Sequence, residues 1–172
     1  REDEYVAEAW LSFEKEISVI VTRGVHETTT FPISENVHQN NILHLSIVPA
    51  RLSEDIIEDA RHLALQLADQ IGLIGTLAVE LFVMPDGSLY VNELAPRPHN
   101  SGHYTIDACE TSQFEQHIRA VTGMSLGHTT LHTPVVMVNL LGEHMQKLNP
   151  QRLPSNVKLH LYGKDEAKPG RK

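Results

Sequence analysis

Cysteine, long apolar runs and excess positive charge are all scarce in this sequence of 172 residues. Its only cysteine, Cys109, excludes an internal disulfide framework and a cysteine-ligated zinc site, so we expect Cys109 to be structural. The apolar runs, such as those at 17–21 and 135–138, are too short to span a bilayer. With 14 Lys and Arg against 22 Asp and Glu, the net charge of −8 argues against nucleic acid or an anionic membrane as a partner.

What remains is the composition of a globular protein. Hydrophobic residues make up 41% of the chain, which is enough to form a core and too many for a disordered segment. The chain begins Arg-Glu-Asp-Glu, without the basic start and apolar core of a signal peptide. We therefore expect a cytoplasmic protein. Because Arg1 is not a start methionine, we also expect the chain to be part of a longer one.

β-branched residues and alternating apolar positions predict an antiparallel sheet. A polar turn is expected at 36–41, and a Pro-Asp-Gly-Ser turn at 85–88 separates two further strands. The predicted strands are 16–23, 28–31, 42–48, 76–84, 89–94, 134–141 and 157–162.

Two helices are predicted beside this sheet. Apolar residues recur at steps of three and four over 52–71, with Ser53 as the N-cap and Gly72 directly after the last turn. A second helix is expected at 106–121, with its large apolar residues on one side. The elements together predict an α+β fold, an antiparallel sheet with packed helices.

The most informative local feature is a pair of glutamates on neighbouring predicted strands. A turn centred on Asp86 and Gly87 makes Glu80 and Glu93 direct cross-strand partners, with Cβ atoms roughly 4.5–5.5 Å apart. A three-residue loop would shift that register. Two carboxylates this close repel each other, and Mg²⁺ is a cation that binds one or two carboxylates together with substrate phosphates. The alternative, a solvated sheet face neutralised by Arg or Lys of a neighbouring strand, stays open on spacing alone.

A polar and basic loop follows the second glutamate. It contains two prolines and a glycine, which exclude a regular strand or helix. The planar guanidinium of Arg97 is suited to binding phosphate or carboxylate. This favours a metal and phosphate site over an ordinary polar surface loop. The side chains concerned are Arg97, His99, Asn100, Ser101 and His103.

The segment 92–105, with its continuation over 112–115, strongly resembles the carboxyaminoimidazole ribonucleotide synthases. These are ATP-grasp ligases of purine biosynthesis, also called ATPase subunits of phosphoribosylaminoimidazole carboxylase. Segments 13–19, 36–39 and 169–172 agree with the same family, so the resemblance spans essentially the whole chain.

The resemblance implies a domain order and a reaction. Residues 1–124 would be the second half of the ATP-grasp domain, and 125–172 a small, β-rich C-terminal domain that is incomplete. In the implied reaction, ATP phosphorylates bicarbonate to carboxyphosphate. The exocyclic amine of 5-aminoimidazole ribonucleotide is then carboxylated, and ADP and phosphate are released. ATP and Mg²⁺ are the implied cofactors, and a homodimer is the implied assembly.

The resemblance also assigns a nucleotide site. Four consecutive residues match the adenine hinge, a glutamate matches the acid that holds the ribose hydroxyls, and a histidine matches a residue of the nucleotide pocket. Two glutamates, Glu80 and Glu93, match the ligands through which Mg²⁺ is bound to the ATP phosphates. The nucleotide-binding positions are Glu8, Ala9, Trp10, Leu11, Glu16, His38, Asn92 and Glu93.

On the substrate side, Arg97 matches a catalytic residue that faces the γ-phosphate or carboxyphosphate. A histidine, an asparagine and a serine match the wall of the ribonucleotide and bicarbonate site. Three cations near the C-terminus match the group that receives the 5′-phosphate, and without the family a solvated basic tail is the alternative. The substrate-binding positions are His99, Asn100, Ser101, Lys164, Arg171 and Lys172.

Complete members of the family begin with a further domain and with the first half of the grasp, and this sequence has no counterpart to either. We therefore expect the chain alone to turn over slowly or not at all. The alternative function is a non-catalytic nucleotide-binding or interaction domain with the same fold. A third hypothesis is another ATP-grasp enzyme, such as a formate-using transformylase or a biotin carboxylase.

Overall fold

The structure is a computed structural model that describes residues 9–145 and 148–163. Its strands form one antiparallel sheet. Its strands are β1 (Lys15–Arg23), β2 (Thr28–Thr30), β3 (Ser34–Gln39), β4 (Ile42–Val48), β5 (Gly75–Val83), β6 (Leu89–Ala95) and β7 (Val135–Val138). The helices are α1 (Glu54–Gln70), α2 (Thr105–Ala108), α3 (Gln113–Val121) and α4 (Gly142–Met145), and 3₁₀ turns lie at Asn100–Gly102 and Pro150–Arg152. The strand order is β6-β5-β1-β3-β4-β7, and β2 pairs with the end of β1. In the described ranges, no helix is long and apolar enough to cross a membrane.

One face of the sheet carries an apolar core over β1 and β5. Alternate residues of β1 and β5 point to this face, where α1 lies across them. The helix meets the sheet through Ala60, Ala64 and Ala68, each 0% exposed, because small side chains let the two backbones approach closely. The strand residues beneath it are Ile17, Val19, Val21, Leu77, Val79 and Leu81.

The opposite face is polar at its centre. Asn36 of β3 donates from Nδ2 to Ser18 Oγ at 2.6 Å, and it accepts from Ser46 Oγ at 2.8 Å. All three side chains are buried, so each polar atom needs a partner within the protein, and this short chain of hydrogen bonds supplies them. Tyr104 lies in the loop that follows β6, and its buried hydroxyl donates to Pro32 O at 2.5 Å. This bond holds the loop against the same face.

The predicted α+β class and the antiparallel sheet are confirmed. The strand predicted at 42–48 is β4, and α1 begins and ends within two residues of the prediction. Gly72 follows α1 with φ +61°, the left-handed conformation expected after a helix. Ser53 occupies the N-cap position, but its side chain makes no capping hydrogen bond.

The predictions of one turn and of one helix are wrong in their bounds. The turn expected at 36–41 is confined to Asn40 and Asn41, with φ of 52° and 61°, because asparagine tolerates the left-handed region and permits a two-residue hairpin. The helix expected at 106–121 breaks into α2 and α3. Between them, Cys109 is extended and bridges to Leu131, and Ser112 caps a new helix by accepting from Glu115 N.

The C-terminal strand predictions have different outcomes. The strand expected at 134–141 is present as β7, which pairs with β4 and so extends the main sheet. The strand expected at 157–162 is wrong, because this segment has no regular structure. Cys109 is buried, as a structural role requires, and burial raises the pKa of its thiol to about 11.

Candidate active site

Glu80 and Glu93 are cross-strand partners in the β5–β6 hairpin, which confirms the predicted pairing. The side chain of Glu80 is only 17% exposed, whereas Glu93 lies on the exposed edge strand. Burial, and then the charge of Glu93, raise the pKa of Glu80, so the ionised pair is unfavourable without a positive neighbour. This oxygen donor set fits Mg²⁺. Since the described residues hold no group of three or more His, Cys, Asp or Glu side chains that could bind a metal, the other ligands would come from phosphates.

The route by which the two glutamates meet differs from the prediction. Next to the turn, Val83 opposes Leu89, and Met84 N donates to Ser88 O at 2.9 Å, so the loop holds three residues and the register is shifted. A β-bulge then places Asn92 as an extra residue on β6 and restores the pairing.

A cleft of about 380 Å³ opens beside Glu80, within the size range of small-ligand pockets. Two of its lining residues, Leu43 and Pro98, were not among the sequence candidates, and His103 was named with the polar loop but given no role. Leu43 could have been found from the two-asparagine turn, which places it opposite His38. The cleft is lined by His38, Leu43, Glu80, Arg97, Pro98, His99, Asn100 and His103.

His38 and Glu16 form an ion pair at one side of this cleft. The hydrogen bond that His38 donates to the Glu16 carboxylate raises the pKa of His38, burial opposes the rise, and the charges of Glu16 and Glu80 reinforce it. His38 therefore keeps a positive charge to higher pH than a free histidine, which suits a site for anions.

The loop that follows β6 carries the other side of the cleft. His99 Nε2 lies 3.5 Å from Glu80 Oε1, and His99 Nδ1 lies 2.9 Å from Ser101 Oγ. Ser101 is wholly buried, so its hydroxyl orients the His99 ring from behind. Arg97 is exposed, lines the cleft and donates from Nη1 to Pro98 O at 3.1 Å.

Residues 1–114 match the family model of the ATP-grasp domain. The chain belongs to the ATP-grasp family. Residues 135–172 match a second model, the phosphoribosylaminoimidazole carboxylase C-terminal domain.

Two relatives of this ATP-grasp chain carry the same activity name. The N5-carboxyaminoimidazole ribonucleotide synthase of Bacillus subtilis is 57% identical over 169 residues, 97% of this chain and 44% of that protein. The synthase of Brucella melitensis is 47% identical over 168 residues, 97% of this chain and 46% of that protein. The chain thus spans about half the length of the curated relatives it matches.

Two solved structures that resemble this chain are named for the same activity. An N5-carboxyaminoimidazole ribonucleotide synthetase crystallised as an ADP complex is 61% identical with a TM-score of 0.92, over 95% of this chain and 44% of that one. A synthase from Aspergillus clavatus, solved with ADP and 5-aminoimidazole ribonucleotide, is 36% identical with a TM-score of 0.88, over 95% and 46%.

The remaining predicted positions that the structure describes are not part of the cleft lining. Ala9, Trp10 and Leu11 precede β1 without regular structure, and Trp10 is 91% exposed. Asn92 is exposed in the bulge. Glu8, Lys164, Arg171 and Lys172 lie outside the described residues.

The end of the described chain returns to the site loop. His160 Nε2 lies 2.5 Å from Asp107 Oδ2 of α2, and the Tyr162 ring makes an edge contact with His103 at 6.2 Å between centroids. The ATP-grasp chain therefore brings the residues before its basic C-terminus to the cleft side of the sheet.

Proposed function

We propose that this chain is the C-terminal part of an ATP-dependent ligase that carboxylates 5-aminoimidazole ribonucleotide with bicarbonate and releases ADP and phosphate. The observation that carries the proposal is the Glu80–Glu93 pair beside a cleft that Arg97 and His99 line. The relatives crystallised with ADP, and with ADP and 5-aminoimidazole ribonucleotide, support the same reaction. In it, bicarbonate is phosphorylated to carboxyphosphate, and the exocyclic amine of the ribonucleotide accepts the carboxyl group.

Glu80 and Glu93 are proposed to bind Mg²⁺ through their carboxylate oxygens. When bound, Mg²⁺ supplies positive charge at the phosphate oxygens of ATP. The half-buried position of Glu80 keeps water from competing for that carboxylate, and the exposed position of Glu93 leaves an open side for the nucleotide.

Arg97 is the proposed catalytic residue. Its guanidinium offers a planar fork of donors to the transferred phosphoryl group. His99, held by Ser101, is proposed to form the wall of the ribonucleotide and bicarbonate site with Asn100. The C-terminal cations Lys164, Arg171 and Lys172 are proposed to bind the 5′-phosphate.

The nucleotide itself is proposed to bind on the β1 side of the cleft. The Glu16–His38 ion pair lies there, and Glu16 is proposed to accept hydrogen bonds from the ribose hydroxyls. Asn92 is proposed to line the same ATP site. The adenine hinge is proposed to be Glu8, Ala9, Trp10 and Leu11.

Three proposals concern the whole protein. We propose that residues 1–124 are the second half of the ATP-grasp domain and 125–172 part of a small C-terminal domain. The family resemblance supports a homodimer. A reaction that consumes ATP and a ribonucleotide draws on the cytoplasmic nucleotide pool, which supports a cytoplasmic location.

A chimera tests the reaction. This chain replaces the matching half of the Bacillus subtilis relative, to which it is 57% identical. We expect ADP release that requires Mg²⁺, bicarbonate and 5-aminoimidazole ribonucleotide together, and a fall of at least 100-fold in kcat for Arg97→Met because the charge on the phosphoryl group is no longer stabilised.

A matched pair of variants supplies the control. Glu80→Gln should abolish Mg²⁺-dependent ADP binding, measured by calorimetry, whereas Glu110→Gln, at an exposed position, should leave it unchanged. A folded chimera that binds Mg²⁺ and ADP but never releases product would instead favour the non-catalytic nucleotide-binding alternative.

A further inference from the structure

Gln113, the first residue of α3, is wholly buried and pairs with the backbone of His99. His99 N donates to Gln113 Oε1 at 2.9 Å, and Gln113 Nε2 donates to His99 O at 2.7 Å. One side-chain amide therefore satisfies both backbone polar groups of one residue, as a neighbouring strand would. These two bonds fix the orientation of the amide. If its oxygen and nitrogen were exchanged, donor would face donor at His99 N and acceptor would face acceptor at His99 O.

The surrounding residues make room for this contact and reinforce it. A Cβ on Gly102 would lie 2.4 Å from Gln113 Oε1, so a side chain at position 102 would displace the amide. Gln113 N donates to Thr105 Oγ1 at 2.9 Å, and that hydroxyl donates to Gly102 O at 2.7 Å. The start of α3 is thus hydrogen-bonded to His99, which precedes the 3₁₀ turn of the site loop, and through Thr105 to Gly102, which ends that turn.

We propose that Gln113 is a positioning residue for the candidate active site. By fixing the His99 backbone in its extended conformation, with φ −124° and ψ 155°, it directs the imidazole toward Glu80, where Nε2 lies 3.5 Å from Oε1. Gln113 itself does not line the cleft. Its importance for catalysis rests on the proposed function, whereas its effect on His99 does not.

The same helix contains a matched control. Gln116, three residues further along α3, is also wholly buried. Its Nε2 donates to Gly127 O at 2.7 Å, and it accepts from Gly127 N at 2.8 Å. The chemistry is the same as that of Gln113, but the backbone that it holds does not line the cleft. Substitutions of the two glutamines should therefore have similar costs for folding and different consequences for His99.

The test compares Gln113→Leu with Gln116→Leu in the 172-residue chain. Ring-¹⁵N-labelled histidine spectra and amide hydrogen exchange are recorded at one pH without ligand. Gln113→Leu should shift the His99 ring resonances and lower the protection of the His99 N–H at least tenfold. Gln116→Leu should leave both unchanged and lower the protection of the Gly127 N–H instead. In the chimera, Gln113→Leu should lower kcat at least tenfold, and Gln116→Leu less than twofold.

A second variant covers a failure to fold. Gln113→Glu keeps the acceptor for His99 N but cannot donate to His99 O, so the ring resonances should still shift while more of the N–H protection remains. Unchanged His99 resonances in the folded Gln113 variants, or equal disturbance by Gln116→Leu, would overturn the proposal. The proposed function fails separately, through an inactive wild-type chimera, because the histidine spectra need no ligand.

Discussion

On the α1 face of the sheet, aliphatic side chains pack against three fully buried alanines. On the face that carries Glu80, the fully or nearly buried residues include Ser18, Asn36, Ser101 and Gln113, and their contacts are hydrogen bonds with defined donors and acceptors. Apolar contacts depend mainly on volume, whereas hydrogen bonds also fix direction. The first face holds the larger of the two apolar clusters, and the hydrogen bonds of the second face determine where the site residues point.

The helices on the two faces differ in the same way. The residues that α1 buries are alanines, whereas α3 buries Gln113, Gln116 and Ala120. The large apolar residues of α3, Phe114, Ile118 and Val121, are 40%, 57% and 47% exposed. Hydrophobic periodicity thus identifies the inner side of α1 but gives the outer side of α3.

The largest effect should come from an apolar truncation on the α1 side. Leu77→Ala removes a side chain that is 0% exposed and should lower the free energy of unfolding by about 2–5 kcal/mol, because a cavity remains. Ile118→Ala, at an exposed position, should change it by less than about 0.5 kcal/mol. Urea unfolding of both variants makes the comparison, and equal losses would contradict the assignment of the core to the α1 side.

A smaller effect should come from Glu35, a buried charge on the α1 side of β3. Burial opposes its ionisation, but hydrogen bonds from Arg51 and the charge of Lys15 outweigh it and lower the pKa of Glu35. Ionised Glu35 therefore stabilises the fold above its ordinary pKa, and this contribution is lost as the pH falls through the lowered value.

The variant Glu35→Gln should cost about 1–3 kcal/mol of unfolding free energy at pH 7. The difference from wild type should shrink progressively below pH 4.5, measured by urea unfolding at several pH values. A difference that grows on acidification would show that the sign of the effect is wrong.

The smallest predicted effect is a gain on the cleft side. Glu80→Gln removes one of two facing negative charges and should raise the free energy of unfolding of the metal-free protein by about 0.2–1 kcal/mol. Thermal unfolding with a chelator present measures the gain, with Glu110→Gln as the neutral comparison. A loss of stability would mean that the hydrogen-bonding environment of Glu80 requires the carboxylate.

The pairing of Glu80 with Glu93 was predictable, but by a route in which two errors cancelled. The three-residue turn shifts the register, and the bulge at Asn92 shifts it back. Turn residues alone carry no signal for a bulge further along the strand, so the agreement does not extend to the pairs nearest the turn. The metal and substrate roles of these residues stay predictions.

The Gln113 contact could not be predicted from pattern. A glutamine beside Phe114 in an amphipathic helix is typical of a solvated face, and its partner, His99, lies on a separate loop. The break between α2 and α3 makes Gln113 the first residue of a new helix, and Cys109 bridges to Leu131 within that break. Apolar patterns predicted α1 well because burial there needs no particular partner.

The bulge at Asn92 also has a consequence for recognising related sites in other sequences. One residue more at the tip of the hairpin can be absorbed by one residue more in the facing strand, so the number of positions between the two glutamates is free to vary while the carboxylates remain opposite each other. A search pattern for such hairpins should therefore leave that spacing variable and specify the residues at its two ends.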